Sequence, residues 1–127
     1  MPKRVVETNL APAPIGPYSQ GIVVGNTIYT AGQIPLDPAT AKLVEGDIKV
    51  QTARVMANLE AILHEGGFTM ADVVKTTIFL ADMGDFTGMN EIYQAAFKAP
   101  FPVRSTVQAA RLPAGALLEI DVVAVRD

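Results

Sequence analysis

The chain contains no cysteine and a single histidine, His64. Disulfides, thiol nucleophiles and cysteine metal sites are therefore excluded, and one lone imidazole gives no basis for a zinc site. With no plausible base for any serine, a Ser-His-Asp triad is set aside as well. His64 itself falls beside Glu65 and Gly66 at the expected end of a helix, where a cation suits the dipole. Charge is also sparse: only 18% of residues are charged and the net charge is −3. The basic residues are scattered, and there is neither a basic stripe nor an aromatic stacking run, which argues against nucleic acid as the ligand. No apolar run approaches transmembrane length, and Met1 to Glu7 lacks the apolar core of a signal peptide. The expectation is a soluble cytoplasmic protein. No phosphate-loop or dinucleotide glycine pattern occurs.

What is abundant is apolar surface. Half of the 127 residues are hydrophobic, a high share for a small monomer and a first hint of oligomerisation. The length suits one domain, residues 1–127, and is too short for two ordinary ones. Val5-Val6-Glu7 reads as a short edge strand. Residues 9–17 hold Pro12, Pro14, Gly16 and Pro17 and must be irregular, because prolines lack a backbone donor. Ser19 to Val24 and Thr27 to Ala31 flank Gly25-Asn26, a two-residue hairpin signal. A loop follows from Leu36 to Gly46.

The period then changes. Ile48, Val55, Met56, Leu59, Ile62 and Leu63 recur at three- and four-residue steps, predicting a helix from Asp47 to about Glu65. Asp47 is its expected N-cap and Gly66-Gly67 its stop. Thr69 to Asp72 predicts a capped turn before a strand from Val73 to Leu80. A second helix, from about Asp85 to Ala99, carries Phe86, Met89, Ile92, Tyr93, Ala96 and Phe97 on one side and stops before Pro100 and Pro102. The runs Pro102 to Val107 and Leu118 to Val125, with a turn at Leu112 to Gly115, read as a C-terminal β-hairpin. The order β-β-β-α-β-α-β-β implies an α+β fold, a single mixed sheet with two helices on one face. Several strands are apolar on both faces, so the sheet's second face needs another cover, most economically further subunits.

The charges within that apolar C-terminal ribbon are the candidates for chemistry. Arg104, Thr106 and Gln108 share one face of their strand. An arginine there suits bidentate carboxylate binding, or equally a structural ion pair or a solvated edge. Glu119 and Asp121 share a face of the last strand, with Leu118, Ile120 and Val122 on the other. In the hairpin reading Glu119 lies opposite Gln108, roughly 13 Å along the strand from Arg104. That span suits no direct salt bridge. A ligand or water between them, a bulge, or pairing across a subunit boundary all stand open. Gly32 offers a close backbone approach for a ligand or simply ends a strand. Tyr18 offers a hydroxyl to a ligand or an amphipathic core edge.

Six strings in order sharpen this. Ile15-Gly16-Pro17-Tyr18-Ser19-Gln20-Gly21, Thr30-Ala31-Gly32-Gln33-Ile34-Pro35, Asp72 to Leu80, Phe101-Pro102-Val103-Arg104-Ser105, Ala110-Arg111-Leu112-Pro113 and Leu118-Glu119-Ile120-Asp121 together resemble the RidA/YjgF family of imine and enamine deaminases. The resemblance spans essentially the whole chain. It implies a chorismate-mutase-like homotrimer with helices outside, sheets lining a central barrel and ligand clefts between adjacent subunits. It further implies hydrolysis of reactive 2-imino or 2-enamino acids, such as 2-aminoacrylate, to 2-keto acids and ammonia, with no metal or organic cofactor. Carried over, Arg104 would clamp the substrate carboxylate and Glu119 would hold and polarise the attacking water. Tyr18, Ala31, Gly32 and Thr106 would line the pocket, and Asn90 matches a family position supplied by the neighbouring subunit. Ala31 stands where the family often has serine, and Thr106 where it often has cysteine. Two further readings are a non-catalytic module for small carboxylates and a ribonuclease or translation-inhibitor role, the latter disfavoured by the charge. On this resemblance Asp121 becomes a structural residue.

Overall fold

A two-residue turn at Gly25-Asn26, with Gly25 at φ +60°, folds strand β2 (Gly21–Val24) back onto β3 (Thr27–Thr30). That conformation is cheap only for glycine, which is why the hairpin was legible. The computed structural model describes residues 2–127. Strand β1 (Lys3–Val6) pairs with β2, and helix α1 (Ile48–Glu65) follows the long loop. The Asp47 carboxylate caps α1 by accepting from the Val50 N–H at 3.0 Å. Gly67, at φ +87°, turns the chain away after its last turn.

Strand β4 (Val73–Leu80), helix α2 (Phe86–Ala95), β5 (Val103–Gln108) and β6 (Leu118–Val125) complete the expected order. The turn before β4 is capped as its sequence requires, with the Thr69 N–H donating to Asp72 at 2.8 Å. Helix α2 is shorter than its apolar pattern suggested. From Ala96 the chain tightens, Ala96 N–H bonding to the Tyr93 carbonyl and Phe97 N–H to that of Gln94. Apolar spacing alone did not show this tightening.

The six strands form one mixed sheet in the order β1-β2-β3-β6-β4-β5. The expected C-terminal hairpin does not form. β4 lies between β5 and β6, pairing parallel with the first and antiparallel with the second. The Pro113–Gly115 turn exists, with Ala114 at φ +59°, but it joins strands that never touch. The helical crossover through α2 makes β4–α2–β5 a parallel unit, which occupies one edge of β4. The eight-residue β6 then fills the other edge and also bonds to β3.

Both helices pack on one sheet face, as expected. Ile28, Ile78, Leu80, Leu118, Ile120 and Ala124 point there and are fully buried with Leu59, Ile62 and Leu63 of α1. Each leucine or isoleucine among them contributes about 1.5–3 kcal/mol by leaving water. Buried polar groups fix how α1 sits. The Gln51 side chain accepts from the Leu117 N–H, just ahead of β6, while Asn58 donates to the Leu36 carbonyl. Among the described residues no helix covers the opposite face. Val5, Tyr29, Val107 and Val125 are exposed on it, and Val103 is 67% exposed. No helix of the described residues is long and apolar enough to cross a membrane.

Candidate functional site

Strand parity decides how the two charges sit. Arg104 lies in register with Thr76, a residue of the helix-covered face. Glu119 lies in register with Phe79, which belongs to the open face. In-register neighbours project to the same side of a sheet, so Arg104 and Glu119 stand on opposite faces of one chain. The hairpin pairing of Glu119 with Gln108 is replaced by this arrangement. Within a chain they belong to two separate clefts.

The first cleft is built by β5 and α2. Phe86, Asn90 and Tyr93 recur at four- and three-residue steps, so they line one side of α2 beside β5. Arg104 Nη1 donates to Asn90 Oδ1 at 2.6 Å. The guanidinium carbon lies 5.4 Å from the Phe86 ring centroid and 5.0 Å from that of Tyr93. These rings favour the cation without neutralising it. Among the described residues the one ion pair is Lys49–Glu91, so Arg104 has no carboxylate partner. Asn90, Tyr93, Gln94, Phe101, Pro102 and Arg104 line a cleft of about 390 Å³, a suitable size for a small ligand. Thr106, one step along the same face of β5, has a buried hydroxyl without a hydrogen-bond partner. Such a group calls for a ligand, water or partner.

The second cleft surrounds Glu119 and encloses about 320 Å³ between Ile15, Tyr18, Ala31, Gly32, Ile34 and Pro113. Its backbone is pinned by a bridge in which Gln33 and Ile120 exchange N–H···O bonds of 2.8 and 3.1 Å. Gly32 is thereby pressed against Glu119. A Cβ there would fall 2.8 Å from the glutamate Cδ, inside the space its carboxylate occupies. Tyr18 is fixed by the Ile15 N–H, which donates to its hydroxyl at 3.3 Å. Burial of Glu119 pushes its carboxyl above the usual range, and the charge of Asp121 pushes it further. Asp121 is also raised by burial, while a hydrogen bond from Thr77 and the charge of Lys75 act the other way.

Tyr18, Ala31, Gly32 and Glu119 thus come together, and so do Asn90 and Arg104, but not the two sets with each other; Thr106 shares the strand face of Arg104 and lines neither cleft. His64 is exposed at the end of α1 and lines neither cleft. Sequence reasoning missed three residues. Phe86 and Tyr93 had been assigned only to the apolar side of α2, although their helical spacing with Asn90 was readable. Gln20 is 1% exposed and holds the proline-rich loop, accepting from the Thr8 N–H at 2.7 Å and donating to the Pro12 carbonyl at 2.8 Å. Its signal is a long polar side chain following a segment rich in unpaired carbonyls.

This is an α+β domain with an arginine free of carboxylate partners in one cleft and a glutamate whose pKa is raised by burial in another. A family model described as endoribonuclease L-PSP matches residues 8–126. The chain is 50% identical to a RutC family protein of Pyrococcus abyssi, with all of both chains covered. It is 44% identical to a 2-iminobutanoate/2-iminopropanoate deaminase of Dermatophagoides farinae, covering 98% of this chain and 97% of the relative. It matches the crystal structure of E. coli TdcF with bound serine at a TM-score of 0.94 and 40% identity, covering 98% and 99% of the two chains. The chain belongs to the RidA/RutC family, also described as L-PSP.

Proposed function

We propose that the protein hydrolyses reactive 2-imino and 2-enamino acids to 2-keto acids and ammonia, in clefts formed where the Arg104 face of one chain meets the Glu119 face of another. The observation that carries this reading is the pair of complementary half-clefts on opposite faces, one cationic and free of protein carboxylates, one holding a carboxyl biased towards its protonated form. A homotrimer closes such a head-to-tail contact. The apolar open sheet faces would then turn inwards around a central barrel.

Arg104 takes the substrate carboxylate through N–H groups that Asn90 leaves free, orienting the imine carbon at low entropic cost. An enamine first tautomerises to the imine. Glu119 accepts a proton from water as its oxygen bonds to the C=N carbon, and the nitrogen gains a proton to give a carbinolamine. The C–N bond then breaks as the hydroxyl loses its proton, leaving a 2-keto acid and ammonia. A glutamate with a raised pKa suits both directions of transfer. This route requires no metal or organic cofactor, because the imine carbon is already electrophilic. The proposed setting is the cytoplasm, where pyridoxal-phosphate enzymes would release such imines.

The D. farinae relative's name supports the reaction, and the serine bound to E. coli TdcF supports amino-acid-sized carboxylates as ligands. The serine also favours a second reading, a non-catalytic carboxylate-binding module. The family's endoribonuclease description favours a third, which the net charge of −3 opposes. The test generates 2-aminoacrylate in place with a serine dehydratase and follows its decay to pyruvate. Faster decay with wild type, lost in Glu119→Gln, is expected. Equal decay with both proteins, alongside intact carboxylate binding, favours the binding module. Arg104→Ala should lose turnover and carboxylate binding together.

A further inference from the structure

Tyr93 sits at the centre of contacts that carboxylate clamping by itself does not require. Its ring lies 5.0 Å from the Arg104 guanidinium carbon. The same ring packs against Phe97, with centroids 4.8 Å apart and planes tilted by 51°. Its hydroxyl shares a 2.8 Å hydrogen bond with Thr76 Oγ1. Thr76 is 0% exposed in the middle of β4, directly across from Arg104.

A valine would fill that position in a strand equally well. A threonine hydroxyl buried in the sheet costs free energy unless it is bonded, and the Tyr93 hydroxyl supplies that bond. The result is a continuous path from the sheet interior through Thr76 and Tyr93 to the cation. Phe86 offers a second ring at 5.4 Å and Asn90 takes one N–H, so the guanidinium is held on several sides. A long arginine side chain held in this way has already lost much of the rotamer freedom that binding would otherwise remove.

We infer that Thr76 and Tyr93 form a positioning pair that presets the Arg104 guanidinium for the ligand carboxylate. The inference rests on the reading of Arg104 as a carboxylate clamp. Tyr93 acts through Arg104 and takes no part in the bond changes. It affects binding of the substrate carboxylate and leaves the chemical step alone.

The experiment compares Tyr93→Phe, Thr76→Val and the double variant. It reads KM and kcat for imine hydrolysis, affinity for pyruvate by calorimetry, and thermal stability. Each single change strands the other hydroxyl in the core, whereas the double change removes both, so its stability returns close to wild type. Pyruvate affinity and 1/KM in the double variant are expected to stay lower by on the order of 5-fold, the worth of one hydrogen bond, with kcat within about 2-fold of wild type. Tyr93→Leu, which also removes the ring face, should lose on the order of 10-fold in affinity. Should affinity and KM recover together with stability in the double variant, the pair is only structural and the inference is overturned. Calorimetry needs no turnover, so wild type that binds pyruvate without hydrolysing imines defeats the deaminase reading while leaving the positioning comparison intact. Wild type that fails to bind pyruvate overturns the clamp and this inference together.

Discussion

Two inactive variants should restore each other. Arg104→Ala removes the cation from one half-cleft, and Glu119→Gln removes the proton carrier from the other. These residues stand on opposite faces of the sheet, so on the proposed function each complete site draws Arg104 from one chain and Glu119 from its neighbour. Neither pure variant then contains an intact site. Loss of an acid–base group alone lowers rates by about 10²–10⁴-fold, so the Glu119→Gln parent should retain no more than about 1% of wild-type activity, and the Arg104→Ala parent, without its carboxylate clamp, should be inactive too. An equimolar mixture is unfolded, refolded together, and purified through a tag on each chain to select mixed assemblies. In random closed rings each contact has one chance in two of receiving an intact arginine and one in two of receiving an intact glutamate. About one contact in four is thus wild type, predicting about 25% of wild-type activity before selection. Had a single chain supplied both groups to its own site, no mixed ring would contain an intact site. Mixed assemblies no more active than the sum of their parents would refute the opposite-face reasoning.

Gly32→Ala should act through Glu119, since the added Cβ meets the glutamate side chain; displacing a reacting group by about 1 Å costs on the order of 10²-fold in rate. In a Glu119→Gln background the same change should cost far less, and an equal cost in both backgrounds would contradict the steric route. The raised pKa of Glu119 has a defined sign for stability. Folding favours its protonated form, so that contribution is complete below the ordinary glutamate pKa and is lost as pH rises through the higher folded value. Glu119→Gln should therefore melt higher than wild type at pH 7, with the gap closing below about pH 4, as thermal melts across pH would show. Activity should have an acid limb above the ordinary glutamate range. Val107→Asp on the open sheet face should give monomers by light scattering and abolish turnover, because a buried unpaired carboxylate costs several kcal/mol. Trimers of normal activity from that variant would show that the face is not an interface.

Much of the fold could be read locally. The 3.6-residue repeat of α1, its Asp47 cap, the Gly25-Asn26 turn and the alternation in β6 each depend on neighbours only a few residues away. The two apolar faces of several strands also raise the expectation of a cover for the second sheet face, which in the single chain is open, with Tyr29 and Val103 exposed. Residue types and strand faces likewise singled out Arg104 and Glu119, since a charge in an apolar strand needs a partner or a ligand. The roles of Gln20 and Tyr93 were hidden, because their hydrogen-bond partners lie in segments distant in sequence or in another element.

Sequence by itself determined the element order and the two charged groups around which a cleft could form. Only the tertiary structure decided which strands are neighbours. Pairing between β5 and β6 looked local because one turn separates them, yet α2 carries β5 across to a parallel edge of β4 and leaves the other edge for β6. That exchange places Arg104 against α2 and Glu119 against Gly32, on opposite sides of the sheet. A period-two pattern states which residues of one strand share a face, but not which face of the sheet that is. The register against β4 supplies the missing relation, and through it a pair that looked like one hairpin site becomes two groups on opposite faces, each in its own cleft.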